Sequence, residues 1–261
     1  MTQAISDPRQ ASAALADLFD THKRVVFFGG AGVSTASGIP DFRSVDGLYH
    51  QTFKYPPETI LSHTFYETHT EEFYQFYRAK MLAPDARPNA AHYKLARWEQ
   101  EGRLKAVITQ NIDGLHQKAG SREVLELHGS VLRNYCTRCG KFYDLDFILR
   151  TTGVPRCECG GVVKPDVVLY EEPLDENVMA QAIRYIRQAD VLLIGGTSLV
   201  VYPGQQAGGG EQGCHRRGSA RGGNGGRPDR PDAGAIIAHL APPDKGEEIR
   251  PGLLTKRRFL L

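Results

Sequence analysis

What this chain lacks narrows its possibilities first. No apolar run approaches the roughly 20 residues needed to span a bilayer, and the opening MTQAISDPRQ has none of the apolar core of a signal peptide. No membrane partner and a cytoplasmic location are therefore expected. Charge of one sign is also missing: 32 Lys and Arg against 30 Asp and Glu leave a net charge of +2, which gives no case for a specific nucleic-acid partner. Cysteine is scarce, five in 261 residues, yet four of the five stand in two close pairs. In a reducing compartment such pairs read as metal ligands and not as disulfides. One fingerprint is incomplete as well. Gly30-Ala31-Gly32 follows the strand-like run Val25-Val26-Phe27-Phe28, but Thr35 stands where G-x-G-x-x-G requires its third glycine.

What is present is organised around that glycine turn. Strand, glycine turn and a segment able to start a helix build a phosphate site, because backbone without Cβ atoms at Gly30 and Gly32 can approach a pyrophosphate and offer it N–H groups. Gly38-Ile39-Pro40-Asp41-Phe42-Arg43 then places a carboxylate, an aromatic ring and a guanidinium on a loop beside the phosphates. Helices are predicted from Asp7 and Pro8 through Phe19, over Thr70–Leu82 with Phe73, Phe76 and Tyr77 on the apolar face, from Asn89 as N-cap to Gly102, and over Leu174–Gln188. Asp46 to Pro57 reads as a loop covering a ligand. Strands are predicted at Leu104–Thr109, Val124–Leu127 and Val191–Ile194, and their carboxyl ends deliver Gln110, Asn111 and Asp113, then His128, then Gly195-Gly196-Thr197-Ser198. In open α/β sheets ligands collect at such ends. The fold class is therefore α/β, a Rossmann-like parallel sheet with helices on both faces plus a small zinc-binding module.

Cys136-x2-Cys139 and Cys157-x-Cys159 can close a tetrahedron of thiolates, and the absence of histidine or carboxylate at ligand spacing makes the zinc structural. Lys164 to Glu172 is extended and β-branched; Val167, Val168, Leu169 and Tyr170 form either an ordinary strand or an edge that a substrate peptide pairs with. The expected division is 1–133 and 164–203 for the Rossmann-like domain, 134–163 for the zinc module and 204–261 for an aberrant tail.

The glycine block, Thr109-Gln110-Asn111-Ile112-Asp113-Gly114-Leu115-His116, Leu127-His128-Gly129-Ser130, the cysteine pairs and Gly195-Gly196-Thr197-Ser198 together resemble the sirtuins, NAD-dependent protein lysine deacylases of bacterial type. The resemblance runs from about Asp20 to Pro203. It implies a reaction in which the acetyl-lysine amide oxygen attacks C1' of the NAD ribose as nicotinamide leaves, with the acetyl group ending on ADP-ribose. It further implies that Gly30, Ala31, Gly32 and Thr35 hold the pyrophosphate with help from Gly195, Thr197 and Ser198. Ile112 and Asp113 would take the nicotinamide carboxamide in a pocket closed by Phe42, beside Asp41. Arg43 would serve a phosphate or the loop, Gln110 and Asn111 would position ribose and water, and His128 would be the general base. The implied partners are acetyl-lysine proteins. No convincing Y-x-x-R, the pair that goes with succinyl-lysine, occurs near Tyr74-Gln75-Phe76-Tyr77-Arg78, so acetyl-lysine is expected. The alternatives are an ADP-ribosyl transferase with the same NAD pocket and a zinc-stabilised remnant.

After Pro203 the pattern stops. Gly204 to Gly234 is rich in glycine and arginine with almost no apolar residues, which predicts disorder. The strand and helices with which sirtuins continue are not recognisable there, although Ala235 to Leu240 is a short apolar run. Either a frame shift in the coding sequence or a true Gly/Arg-rich tail accounts for the break.

Overall fold

The structure, a computed structural model, describes residues 13–15, 17–19, 22, 24–41 and 54–197. Expectations for Phe42, Arg43 and Ser198, for the start of the first helix, for most of the loop from Asp46 and for everything from residue 204 lie outside those residues. Along the described chain run strands β1 (Val25–Gly29), β2 (Leu104–Thr109), β3 (Val124–Glu126), β4 (Gly129–Cys136), β5 (Phe142–Asp144), β6 (Val163–Val167) and β7 (Val191–Gly195). The helices are α1 (Pro57–Ile60), α2 (His63–Thr68), α3 (Thr70–Phe76), α4 (Ala90–Gln100), α5 (Leu115–Lys118), α6 (Leu145–Arg150) and α7 (Glu176–Gln188).

Four strands form one sheet in the order β3-β2-β1-β7, and every pair in it is parallel. Side chains alternate along a strand, so Val25 and Phe27 of β1 enter one core with Leu95, Trp98, Val107 and Leu193, while Val26 enters another with Ile108, Leu192 and Ile194. Helix α4 and the helical residues 13–15 and 17–19 cover the first face; α7 covers the second. That double burial explains why β1 and β7 read as unbroken apolar runs.

The other strands make a three-stranded antiparallel sheet, β5-β4-β6, which runs from Gly129 to Val167 and so brackets both cysteine pairs. Its inner face joins the aromatic core of α2 and α3, where Phe73, Tyr74 and Tyr77 meet Val131, Ile148 and Val163. The Tyr74 hydroxyl donates to the Val163 carbonyl at 2.6 Å.

Two helix boundaries differ from their expected positions. The helix predicted to Leu82 is α-helical only to Phe76 and then widens into a π-type turn at Tyr77–Met81. There Tyr77 is fully buried and Arg78 donates to the carbonyls of Ile148 at 3.1 Å and Gly153 at 2.6 Å, so tertiary contacts override the helical period. Helix α7 starts at Glu176 because Asp175 caps it, accepting from the N–H groups of Asn177 and Val178.

Candidate functional site

The carboxyl ends of β1, β2 and β7 bring two glycine turns together. The Gly30 N–H donates to the Gly195 carbonyl at 3.2 Å, Gly32 N–H to Gly196 carbonyl at 2.8 Å, and Gln110 N–H to Gly29 carbonyl at 2.9 Å. A Cβ on Gly32 would lie 2.9 Å from the Gly196 Cα, and Gly196 itself has φ +64°, so neither position has room for a side chain. The turn does not open an α-helix, as its sequence had suggested. It continues as two 3-10 turns, Ala31–Val33 and Thr35–Ser37, ended by Gly38 at φ +83°. Ser34, between them, is drawn toward the β2 loop instead: its hydroxyl donates to Asp113 Oδ2 at 2.6 Å and accepts from Asn111 Nδ2 at 3.0 Å. Asp113 Oδ1 accepts the Leu115 N–H, and the Asn111 N–H is held by Thr109 Oγ1. Ser34 was not singled out from the sequence, although a hydroxyl inside a glycine turn was signal enough.

These loops enclose a cavity of about 620 Å³. Of the expected site residues, Ala31, Gly32, Asp41, Gln110, Asn111, Ile112, Asp113, His128, Val167, Val168, Leu169, Tyr170 and Thr197 line it. Gly30, Thr35 and Gly195 stand outside its lining: the Thr35 hydroxyl donates to the Gly32 carbonyl, and a Cβ on Gly30 would meet Gln110 Oε1 at 2.7 Å. Gln110 Oε1 accepts the Thr197 hydroxyl at 2.9 Å, joining the second glycine turn to β2. An apolar wall of Leu61, Met81, Val131, Leu132 and Leu145 completes the cavity and had no sequence signal of its own.

His128 is the imidazole of the cavity lining. Its Nδ1 lies 2.9 Å from the Gln110 carbonyl, which only accepts, so Nδ1 carries the proton and Nε2 is left with a lone pair. Burial holds this ring below the usual histidine value, with the Gln110 carbonyl pulling the other way. The segment after β6 is tied down on the far side. The N–H groups of Val168, Leu169 and Tyr170 donate to the His128 carbonyl, Glu172 Oε2 and the Leu61 carbonyl. Glu172 also meets His63 Nδ1 at 2.9 Å and Lys164 Nζ at 3.1 Å. Burial pushes its carboxyl up, but these three donors outweigh it and keep the group below its ordinary value, while the His63 ring is raised by the hydrogen bond to Glu172.

Cys136, Cys139, Cys157 and Cys159 converge at the end of the three-stranded sheet, their sulfurs all within 4.8 Å of one another. Cys136 and Cys159 are 3.4 Å apart, Cys139 and Cys157 3.6 Å. A tetrahedron with Zn–S bonds of about 2.3 Å has edges of about 3.8 Å, so the four donors fit zinc. Gly161 has no room for a side chain beside them, since a Cβ would lie 2.6 Å from Cys136 Sγ.

The sequence profile described as the Sir2 family matches residues 30–203. The chain belongs to the Sir2 family. It is 61% identical over 183 residues to an NAD-dependent protein deacetylase of Clostridium acetobutylicum, covering 69% of this chain and 75% of that one. An NAD-dependent protein deacetylase of Clostridium perfringens is 60% identical over 192 residues, 72% of this chain and 79% of its own. A solved Sir2 structure with p53 peptide and NAD+ is similar with a TM-score of 0.64 and 42% identity, over 73% of this chain and 77% of that one. Another, Sir2 bound to an acetylated peptide, gives a TM-score of 0.65 at 40% identity over the same shares. The profile match ends at residue 203, where the composition of the chain changes.

Behind the cavity of this Sir2-family chain lie two buried histidines. His92 of α4 and His116 of α5 pack with ring centroids 4.7 Å apart. His92 Nδ1 accepts the Asn89 N–H in a capping box, while His92 Nε2 and both His116 nitrogens have no hydrogen-bond partner among the described residues. Burial lowers both rings, His116 to about 3, so both are neutral at physiological pH.

Proposed function

We propose that the chain removes acetyl groups from protein lysines at the expense of NAD, giving nicotinamide and O-acetyl-ADP-ribose, and that it does so in the cytoplasm. One arrangement carries this reading. Ser34, Asn111 and Asp113 are locked to one another across two loops, and His128 lines the same cavity with Nε2 free to accept a proton. Bound NAD would supply an activated ribose carbon for the lysine amide oxygen, with nicotinamide as its leaving group. Asp113 and the Ile112 backbone would receive the nicotinamide carboxamide. Phe42 would close that pocket. Ala31 and Gly32, with Thr197 and Ser198, would cradle the pyrophosphate, Gly30 and Thr35 would hold the turn in shape behind them, and Arg43 would serve a phosphate. Gln110 and Asn111 would orient the ribose, and neutral His128 would take a proton from a ribose hydroxyl. Desolvation helps, because it keeps that imidazole unprotonated at neutral pH.

Val167 to Tyr170 would hold the substrate peptide. Three of their N–H groups are already engaged, so an incoming backbone would donate to the carbonyls, each of which has a second lone pair. Zinc held by Cys136, Cys139, Cys157 and Cys159 would be structural, because the four thiolates close the tetrahedron and leave no open position. A second reading, an impaired deacetylase, rests on the break at residue 203, beyond which the family profile does not match. The test is nicotinamide release by the full 261-residue chain, given NAD with and without an acetyl-lysine peptide. Release that requires the peptide supports the deacetylase. Equal release without it points to ADP-ribosyl transfer or NAD hydrolysis, and no release to the impaired chain.

A further inference from the structure

We propose that Asn89 is a positioning residue for the cofactor cradle, clamping the glycine turn at Val33 and Ser37 from behind the cavity wall. This rests on the reading of the cavity as an NAD site. The Asn89 side chain makes two kinds of bond at once. Its Oδ1 accepts from the Ala91 N–H at 2.9 Å as the N-cap of α4, and its Nδ2 donates to the Val33 carbonyl at 2.8 Å and to Ser37 Oγ at 2.9 Å. The amide has one orientation only, because the Ala91 N–H needs an acceptor and the Val33 carbonyl needs a donor.

The turn it holds is closed by short-range backbone bonds, Val33 N–H to the Gly30 carbonyl, Ser34 N–H to Ala31, Ser37 N–H to Ser34 and Gly38 N–H to Thr35. Neither 3-10 turn carries a side-chain cap, and the side-chain bond within them is the Thr35 hydroxyl on the Gly32 carbonyl. Val33 and Ser37 flank Ser34, whose hydroxyl reaches Asp113 at 2.6 Å. The same first turn of α4 carries His92, packed on His116, which follows Asp113 by three residues. The start of α4 thus touches both loops that meet at the Ser34–Asp113 bond. Asn89 does not line the cavity, so it acts through those loops and not on a ligand. Without its two donors the turn would keep its backbone bonds but lose its anchor to α4, so more of its ordering would fall to cofactor binding, and binding would weaken accordingly.

Asn89→Ser and Asn89→Asp test this in the full chain. Serine and aspartate are both good N-caps, so α4 is kept, but neither offers the NH2 group. Faster amide hydrogen exchange confined to residues 31–38 is expected in both. The KM for NAD should rise about tenfold, as the loss of one or two hydrogen bonds implies, with the KM for acetyl-lysine peptide unchanged. Ser37→Ala, which removes one acceptor, should shift the NAD KM in the same direction by about threefold. Unchanged exchange at 31–38 in both Asn89 variants overturns the proposal, as does exchange that rises equally along α4, which would mean a cap and nothing more. If the unmutated chain releases no nicotinamide, the deacetylase reading fails, and the exchange comparison alone still decides the role of Asn89.

Discussion

The two sheets of this protein are stabilised in different ways. Every residue of β7 and all but one of β1 are buried, with apolar cores on both faces of the parallel sheet. The antiparallel sheet is less covered, and leaves Leu132, Tyr135 and Phe142 exposed. A sheet covered on both sides is a rigid floor, so its loops can be spent on polar groups and tight glycine turns. A short, less covered sheet borrows its core from α2 and α3 and carries the four-cysteine cluster at its far end. The candidate site lies at the rim of the first, and the cysteine cluster lies at the end of the second.

Removing the metal should expose this difference most. For a site of this kind the binding free energy of the ion is folding free energy. Chelation, or Cys157→Ser, should therefore abolish zinc content and unprotect residues 129–167 in hydrogen exchange, while β1 and β2 stay protected. Equal loss in both sheets would show one cooperative unit, through the shared core of Tyr74, Ile148 and Val163.

The opposite dissection comes from the rim. His128→Ala should lower turnover by about 100- to 10,000-fold, the usual share of a general base, with zinc content and the melting temperature unchanged. The acidic limb of kcat/KM should lie below pH 6.5, because burial disfavours the protonated ring in the folded state. A limb above that value would mean that another group is titrating. Asp113→Asn should act less strongly. It keeps the shape but gives up the charge that Ser34 and the Leu115 N–H bond to, and about a tenfold rise in the NAD KM is expected from weakening charge-assisted bonds. An unaltered NAD dependence would remove Asp113 from the pocket.

Much of this was legible because residue type and position agreed. Val25 to Phe28, Leu104 to Thr109 and Val191 to Ile194 are apolar, bounded and followed by glycine or amide residues, so both the strands and the polar groups at their ends could be read together. The cysteine spacing gave the cluster in the same way. What escaped depended on contacts distant in sequence. Ser34 matters because Asp113, 79 residues later, stands 2.6 Å away. Asn89 reads as a helix cap, and nothing local shows its other two bonds, which span 56 and 52 residues. The same holds for Val167 to Tyr170. They read as one extended run, but β6 ends at Val167, and Tyr170 pairs instead with residues 61–63, where its N–H and C=O are bonded.

Mild acid separates the regions by a smaller margin. The folded-state value of His116 is depressed from 6.5 to about 3, and that of His92 is also lowered. Below pH 6.5 the unfolded chain therefore takes up protons that the folded one refuses. The stability these rings allow is complete above that pH and is lost progressively as pH falls toward about 3. At about 1.4 kcal/mol per pH unit, His116 alone should cost about 2 kcal/mol by pH 5. The pair sits under β1, with His116 6.2 Å from the Phe27 ring, so the loss should fall on the parallel sheet. His116→Leu should flatten the fall in melting temperature between pH 6.5 and 5 without lowering it at pH 7.5, since both His116 nitrogens lack partners among the described residues. Thiolates holding a metal would still be reprotonated and release it on acidification, so in this variant the module should soften in acid while the sheet, left with the lowered His92 alone, softens less. If the sheet softens as in the unmutated chain, the buried pair is not its acid-sensitive element.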